Sequence, residues 1–220
     1  MRLFDVNLPP LPSDKRIHLL AETPLLARAR LLLIVMIVLL FASFGVSIVL
    51  MVLLGFVGID KSTALSALDV LMSVVNFATG LCMLFACCFL SKLSLREAPF
   101  KLAAISTLLD LFSSALMSFD VPSMVLLPAA IFQLVVMWRL CKELSFITSE
   151  PYFFLSMKIV LAGLVAILVG AMCMVFAQIL GAILSLGAVV LFIAASIVYI
   201  IAAFRIRLVI AYGANAINPL

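Results

Sequence analysis

Between Ile159 and Phe204 the chain runs for 46 residues without one charged side chain. A single α-helix of that length would span about 69 Å, whereas the hydrocarbon core of a bilayer is about 30 Å thick. A water-soluble domain could not absorb such a run either, because it must keep a polar surface toward solvent. The run therefore reads as two membrane-crossing helices folded back on each other. The fold-back is expected within residues 178–187, which hold Gly181 and Gly187.

The rest of the 220 residues follows the same rule. Hydrophobic side chains make up 67% of the chain and charged ones 11%, against about 45–50% and about 25% in soluble domains. Apolar runs at 31–57, 66–91, 101–119 and 122–140 precede the long one, which divides into 156–179 and 183–204. The expected fold is all-α: a polytopic transmembrane helical bundle of six spans. The first run has no charge over 27 residues and lacks a short apolar core ahead of a small-residue cleavage site, so it is expected to be a retained anchor. The resulting organisation is a cytoplasmic N-terminal segment (1–23), a six-helix transmembrane domain (24–208) and a cytoplasmic tail (209–220). Within the first segment, Asn7–Pro12 reads as a plain extension, with a short polyproline motif as the alternative. Ser13 to Ala21 is expected to form one or two helical turns along the membrane surface, with Arg16 and His18 near the headgroups.

Orientation follows from fourteen Lys and Arg residues. Arg2, Lys15, Arg16, Arg28 and Arg30 precede the first span; Lys92, Arg96 and Lys101 lie between the second and third. Arg139, Lys142 and Lys158 surround the link from the fourth to the fifth, and Arg205 and Arg207 follow the sixth. Lys61 alone falls on the other side. The positive-inside rule then places both termini in the cytoplasm, with a plasma or inner membrane as the expected location. These short basic runs flank apolar stretches and form no continuous patch, so no nucleic-acid partner is expected. On the opposite face, Gly58–Thr63, the Phe119–Pro122 turn and the last hairpin turn are too short to form a domain.

The odd-numbered spans start alike, at Glu22-Thr23-Pro24, Glu97-Ala98-Pro99 and Glu150-Pro151. Proline suits a first helical turn, where its missing N–H needs no partner, and a glutamate beside it faces the positive end of the helix dipole. The stretch from Lys92 to Glu97 also resembles Lys142-Glu143-Leu144-Ser145. These are either ordinary helix caps or the marks of three parallel helical-hairpin repeats; the unequal spacings of 75 and 53 residues between the glutamates weaken the repeats.

Catalytic chemistry is hard to place. His18 is the single histidine and lies before the first span, which removes a haem ligand pair and an intramembrane serine–histidine dyad. There is no HExxH and no glycine-rich phosphate loop, and Asp69 and Asp110 lack the glycine context of an intramembrane aspartyl protease. The five cysteines, Cys82, Cys87, Cys88, Cys141 and Cys173, are odd in number and read as packing residues. No enzyme activity, metal or cofactor is expected.

Polar residues inside the spans are the informative ones. Asp110 lies at the centre of the third span, where an aspartate costs about 2.5–3.5 kcal/mol on insertion scales and must face protein or water. Ser106, Thr107, Ser113 and Ser114 surround it at helical spacing. In the second span Asp69, Ser73, Asn76 and Gly80 share a face, and the fourth span offers Gln133. Asn76, Ser106, Asp110, Ser113, Ser114 and Gln133 form the candidate intramembrane polar cluster, either as glue between helices or as the lining of a path. Lys158 is expected to snorkel to the inner interface, and Trp138-Arg139 to anchor there. Small residues in the first span (Ala42, Ser43, Gly45, Ser47), with Gly163 and Gly170 in the fifth, suit close crossings.

Two functions fit this pattern. One is a non-enzymatic membrane component of a larger assembly, surrounded by lipid, that docks a protein partner or a second copy through its cytoplasmic face or lipid-facing helices. The other is a small-solute permease or substrate-binding transporter subunit built around Asp110.

Overall fold

The computed structural model describes residues 17–20, 23–57, 61–117 and 123–212. In chain order these form strand β1 (Ile17–Leu20), helices α1 (Pro24–Val57), α2 (Lys61–Ser94), α3 (Ala98–Met117), α4 (Ser123–Thr148), α5 (Tyr152–Phe176) and α6 (Gln178–Arg205), and strand β2 (Val209–Tyr212). Four stretches are long and apolar enough to cross a membrane: Pro24–Ala42, Val70–Ser94, Tyr152–Met174 and Gln178–Arg205. The protein is thus a membrane-embedded helical protein. Helices α3 and α4 are the ones that carry Asp110 and Gln133, and with them Lys101, Arg139 and Lys142. The polyproline stretch, the turn at 119–122 and the tail beyond residue 212 lie outside the described residues, as do most of the side chains of the loop at 58–63 and of the small-residue run in α1.

Helices α1 and α2 are largely apolar, yet each buries one stripe among its described side chains. In α1 the buried side chains are Leu26, Ala29, Leu33, Met36 and Ile37; in α2 they are Met83, Ala86, Cys87 and Leu90. These spacings of three, four and seven follow one helical face. Elsewhere large apolar side chains stand fully outward, among them Leu108, Leu168, Met172 and Ile179 (66–79% exposed). Water would not tolerate that surface, but hydrocarbon does.

The chain forms two compact units. One comprises 24–92 and 97–137, and so holds α1, α2, α3 and the first part of α4. The other comprises the strands, 93–96, the end of α4, and α5 and α6.

In the second unit α5 and α6 form an antiparallel hairpin. Phe153 stacks edge-on against Tyr199 with ring centroids 5.0 Å apart, and Gly163 faces Phe192. Nearer the turn, a side chain on Gly181 would meet Met174 and come within 2.8 Å of the carbonyl oxygen of Gly170. The fold-back falls at Ala177 (φ −149°, ψ 85°), one residue before α6, and not within 178–187. Gly181 is three residues into α6, where its missing side chain lets two backbones approach. Glycine here serves the helix crossing, and the turn needs none. The open end of the hairpin is closed by charge: Arg205 sits 3.6 Å from Glu150 and 4.9 Å above the Tyr152 ring.

The structure also corrects the ends of the chain. Residues 17–20 are a strand, not a helical turn, and pair antiparallel with 209–212, which were expected to be tail: Ile17 opposes Tyr212 and Leu20 opposes Val209. Ile, Val and Tyr favour extended backbone, and Val209, Ile210 and Ala211 are buried. Lys158 departs from expectation too. It is 7% exposed, with Nζ 4.9 Å from the Phe154 ring centroid, so an aromatic face covers its charge. Trp138 packs edge-on against the same ring at 4.6 Å.

The turns after α2 and α4 share one geometry at a spacing of 54 residues. Leu95 and Ser149 both take positive φ (56° and 55°), the left-handed residue that ends many helices. Five residues further on in each case, an N–H in the first turn of the next helix needs an acceptor. The Ser91 hydroxyl accepts from the Phe100 N–H (3.1 Å), and the Ser145 hydroxyl accepts from the Phe154 N–H (2.9 Å). Leu90 and Leu144, one residue before these serines, are both fully buried. The recurrence covers these two turns; of the corresponding proline start before α1, residues 21–22 lie outside the described residues.

Gly181→Ala is expected to destabilise the α5–α6 hairpin by about 1–3 kcal/mol, the usual cost of overpacking, read as a lower unfolding temperature in detergent. Glu150 gives a pH signature. Burial pushes its carboxyl above the ordinary carboxylate range, with Arg205 and Arg207 opposing the shift. The folded protein therefore holds this proton more tightly than the unfolded chain, so its contribution is greatest below the ordinary carboxyl pKa and is lost as pH rises through the raised one. Thermal unfolding of Glu150→Gln across that window should show a flatter pH dependence than the parent.

Candidate functional site

All six candidate residues line one cavity of about 380 Å³ within the first unit. The convergence begins with helical periodicity. On α3, Ser106, Asp110, Ser113 and Ser114 recur at spacings of three and four, so a single turn after turn of the helix presents hydroxyl or carboxylate to the same side. Asn76 comes from α2 and Gln133 from α4. Thr107 and Thr79 add two more hydroxyls.

Gln133 ties the polar wall together. Its Nε2 donates to Ser106 Oγ at 2.8 Å and to Asp110 Oδ1 at 3.0 Å. Ser106 Oγ lies 3.4 Å from the Met137 sulfur. Gln133 Oε1 is buried without a hydrogen-bond partner among the described residues, a costly state in a dry environment. Thr107 turns its hydroxyl back to the Ala103 carbonyl (3.0 Å) and toward the Gly80 carbonyl of α2 (3.4 Å). A side chain at Gly80 would sit 3.0 Å from the Thr107 methyl, so α2 and α3 approach as closely here as glycine allows. Thr79 satisfies its own helix by donating to Val75 O at 2.7 Å.

The remaining lining is apolar. Met36 and Leu40 of α1, Met83 of α2 and Met137 of α4 complete the lining. None of them could be singled out in the sequence, because in a chain so rich in Leu and Met an apolar cavity wall looks like any lipid-facing surface. Thr79 could have been found: it lies three residues after Asn76, on the same face. Ser73, grouped with Asn76 by spacing, is exposed and outside the lining, and the Asp69 side chain lies outside the described residues. Among the described residues no cluster of three His, Cys, Asp or Glu side chains could hold a metal.

No protein-family model, curated protein or solved structure matches the chain. What it does must therefore be argued from this cavity.

Gln133→Leu removes both donated bonds and leaves Asp110 Oδ1 without its partner. A loss of about 1–2 kcal/mol is expected, the scale of interhelical polar contacts, measured as a fall in unfolding temperature relative to the parent protein.

Proposed function

We propose that the chain is a six-pass membrane protein with both ends on the cytoplasmic side, and that α1 to α4 hold a small polar solute in the cavity beside Asp110, as a permease or a substrate-binding transporter subunit does. One observation carries this reading: polar side chains from three helices meet around open volume. Residues serving only as glue satisfy each other across a closed contact, as Gln133 does with Ser106 and Asp110. Asn76 and Ser113 border space instead, and a carboxamide in a membrane without water or ligand beside it is expensive.

The six-pass topology draws on two supports. Thirteen of fourteen basic residues flank the same alternate ends of the runs. The β1–β2 pairing sets the residues before α1 beside those after α6, as an even number of crossings requires. Docking of a soluble partner through inner-face charge has less to draw on. Arg96 pairs with Glu143 at 3.2 Å, Arg205 with Glu150, and Lys101 with Glu97, so several of those charges are already used within the chain.

Access to water tests the reading. In the full chain with its five native cysteines replaced, Ser113→Cys should react with a small charged methanethiosulfonate in proteoliposomes, whereas Leu108→Cys, which points into lipid, should not. Equal reactivity at the two positions, or none at Ser113→Cys, would remove the solute cavity.

A further inference from the structure

We infer that the solute is a small organic monocation: a protonated amine carrying a short apolar chain. This rests on the cavity being a solute site and names the class of solute it takes. Three features of the lining lead there together.

The first is charge. Among the described residues of the lining, Asp110 is the one ionisable side chain, and no Lys, Arg or His accompanies it. An anion entering would bring two like charges together where water screens poorly, and a neutral solute would leave the carboxylate without a counter-charge. A cation alone among the three gains from the site. The second is hydrogen-bond capacity. Gln133 donates to Oδ1, and among the described residues no donor is shown on Oδ2. That oxygen, the Asn76 carboxamide and the Ser113 hydroxyl line one cavity and can accept from an ammonium, which has up to three N–H groups to place. A quaternary cation would leave them unused.

The third is the division of the walls. Among the described residues, α3 supplies hydroxyls and the carboxylate, whereas α1 supplies Met36 and Leu40, joined by Met83 and Met137. A metal ion of the alkali or alkaline-earth kind takes oxygen ligands and would use the polar side chains alone, leaving three thioethers and an isobutyl group idle. They suit a hydrocarbon chain, and methionine adapts to its shape. Volume agrees. The cavity's 380 Å³ equals about a dozen waters at about 30 Å³ each, far more than a bare ion fills and enough for a cationic head with a short alkyl body.

The test uses the full chain in nanodiscs and three probes of one shape: hexylammonium, hexanoate and hexanol. Binding is measured by isothermal titration calorimetry at neutral pH, with empty nanodiscs subtracted for partitioning. Hexylammonium should bind about tenfold or more tighter than either of the others. Asp110→Asn should bring it down to the level of hexanol while hexanol binding stays unchanged, which also shows that the variant keeps its cavity. Asp110→Glu should retain the preference, and it serves as the charged comparison if Asp110→Asn does not fold. Equal affinity for hexanoate or hexanol, or a preference that survives Asp110→Asn, overturns the cation while leaving a solute site standing. If none of the three binds, the solute site itself falls.

Discussion

In hydrocarbon there is no water to satisfy a backbone N–H or C=O, so every such group must be paired within its own helix or at a protected end. That constraint governs this structure. It sets helices of 25 to 34 residues as the dominant elements among the described residues, and it makes helix ends the delicate points. The turns after α2 and α4 meet it with the same device. A left-handed residue releases the chain, and a serine in the last turns of the outgoing helix reaches across to an N–H of the next one. Pro151, at the start of α5, offers no side-chain cap of its own. The serine of the preceding helix supplies what the local sequence omits.

Lipid also removes the ordinary reason for helices to associate, since a neighbouring leucine is no better than an acyl chain. Close approach takes over. Gly181 lets α6 reach the backbone of α5, and Gly80 lets α2 reach Thr107 of α3. The two uses of this strategy differ in outcome. Along α5 and α6 the contact is small and apolar, whereas α3 adds a stripe of hydroxyls and one carboxylate. The same stripe that builds the cavity gives α3 polar groups that need partners, and Gln133 is the clearest of them.

How much of this could be read from the residues differs from element to element. The helices could, because uncharged runs of 20 or more residues leave a chain few alternatives. The polar wall could as well: spacings of three and four around Asp110 put Ser106, Ser113 and Ser114 on one side before any coordinates are known. Other features could not. Glycines point to a fold-back within 178–187, but Gly181 is used for packing, and a single residue, Ala177, makes the turn. Glutamates and lysines at the helix ends recur at spacings of 53 and 50. Backbone geometry gives 54, because the residues that do the work there are a serine and a phenylalanine whose roles no charge pattern marks. Strands β1 and β2 were missed because each is four residues long, and each makes sense only beside a partner nearly the whole chain away.

That separation bears on how the protein is made. Residues 17–20 are synthesised ahead of α1, whereas their partners at 209–212 follow α6. Closing so long a loop is entropically expensive and comes late. Until α6 has been made, the early strand has nothing to pair with, and a chain halted after α5 leaves its N-terminal segment unjoined. The ribbon is therefore a bond that forms only after α1 to α6 have all been made, and it joins the two flanks of the helical set last.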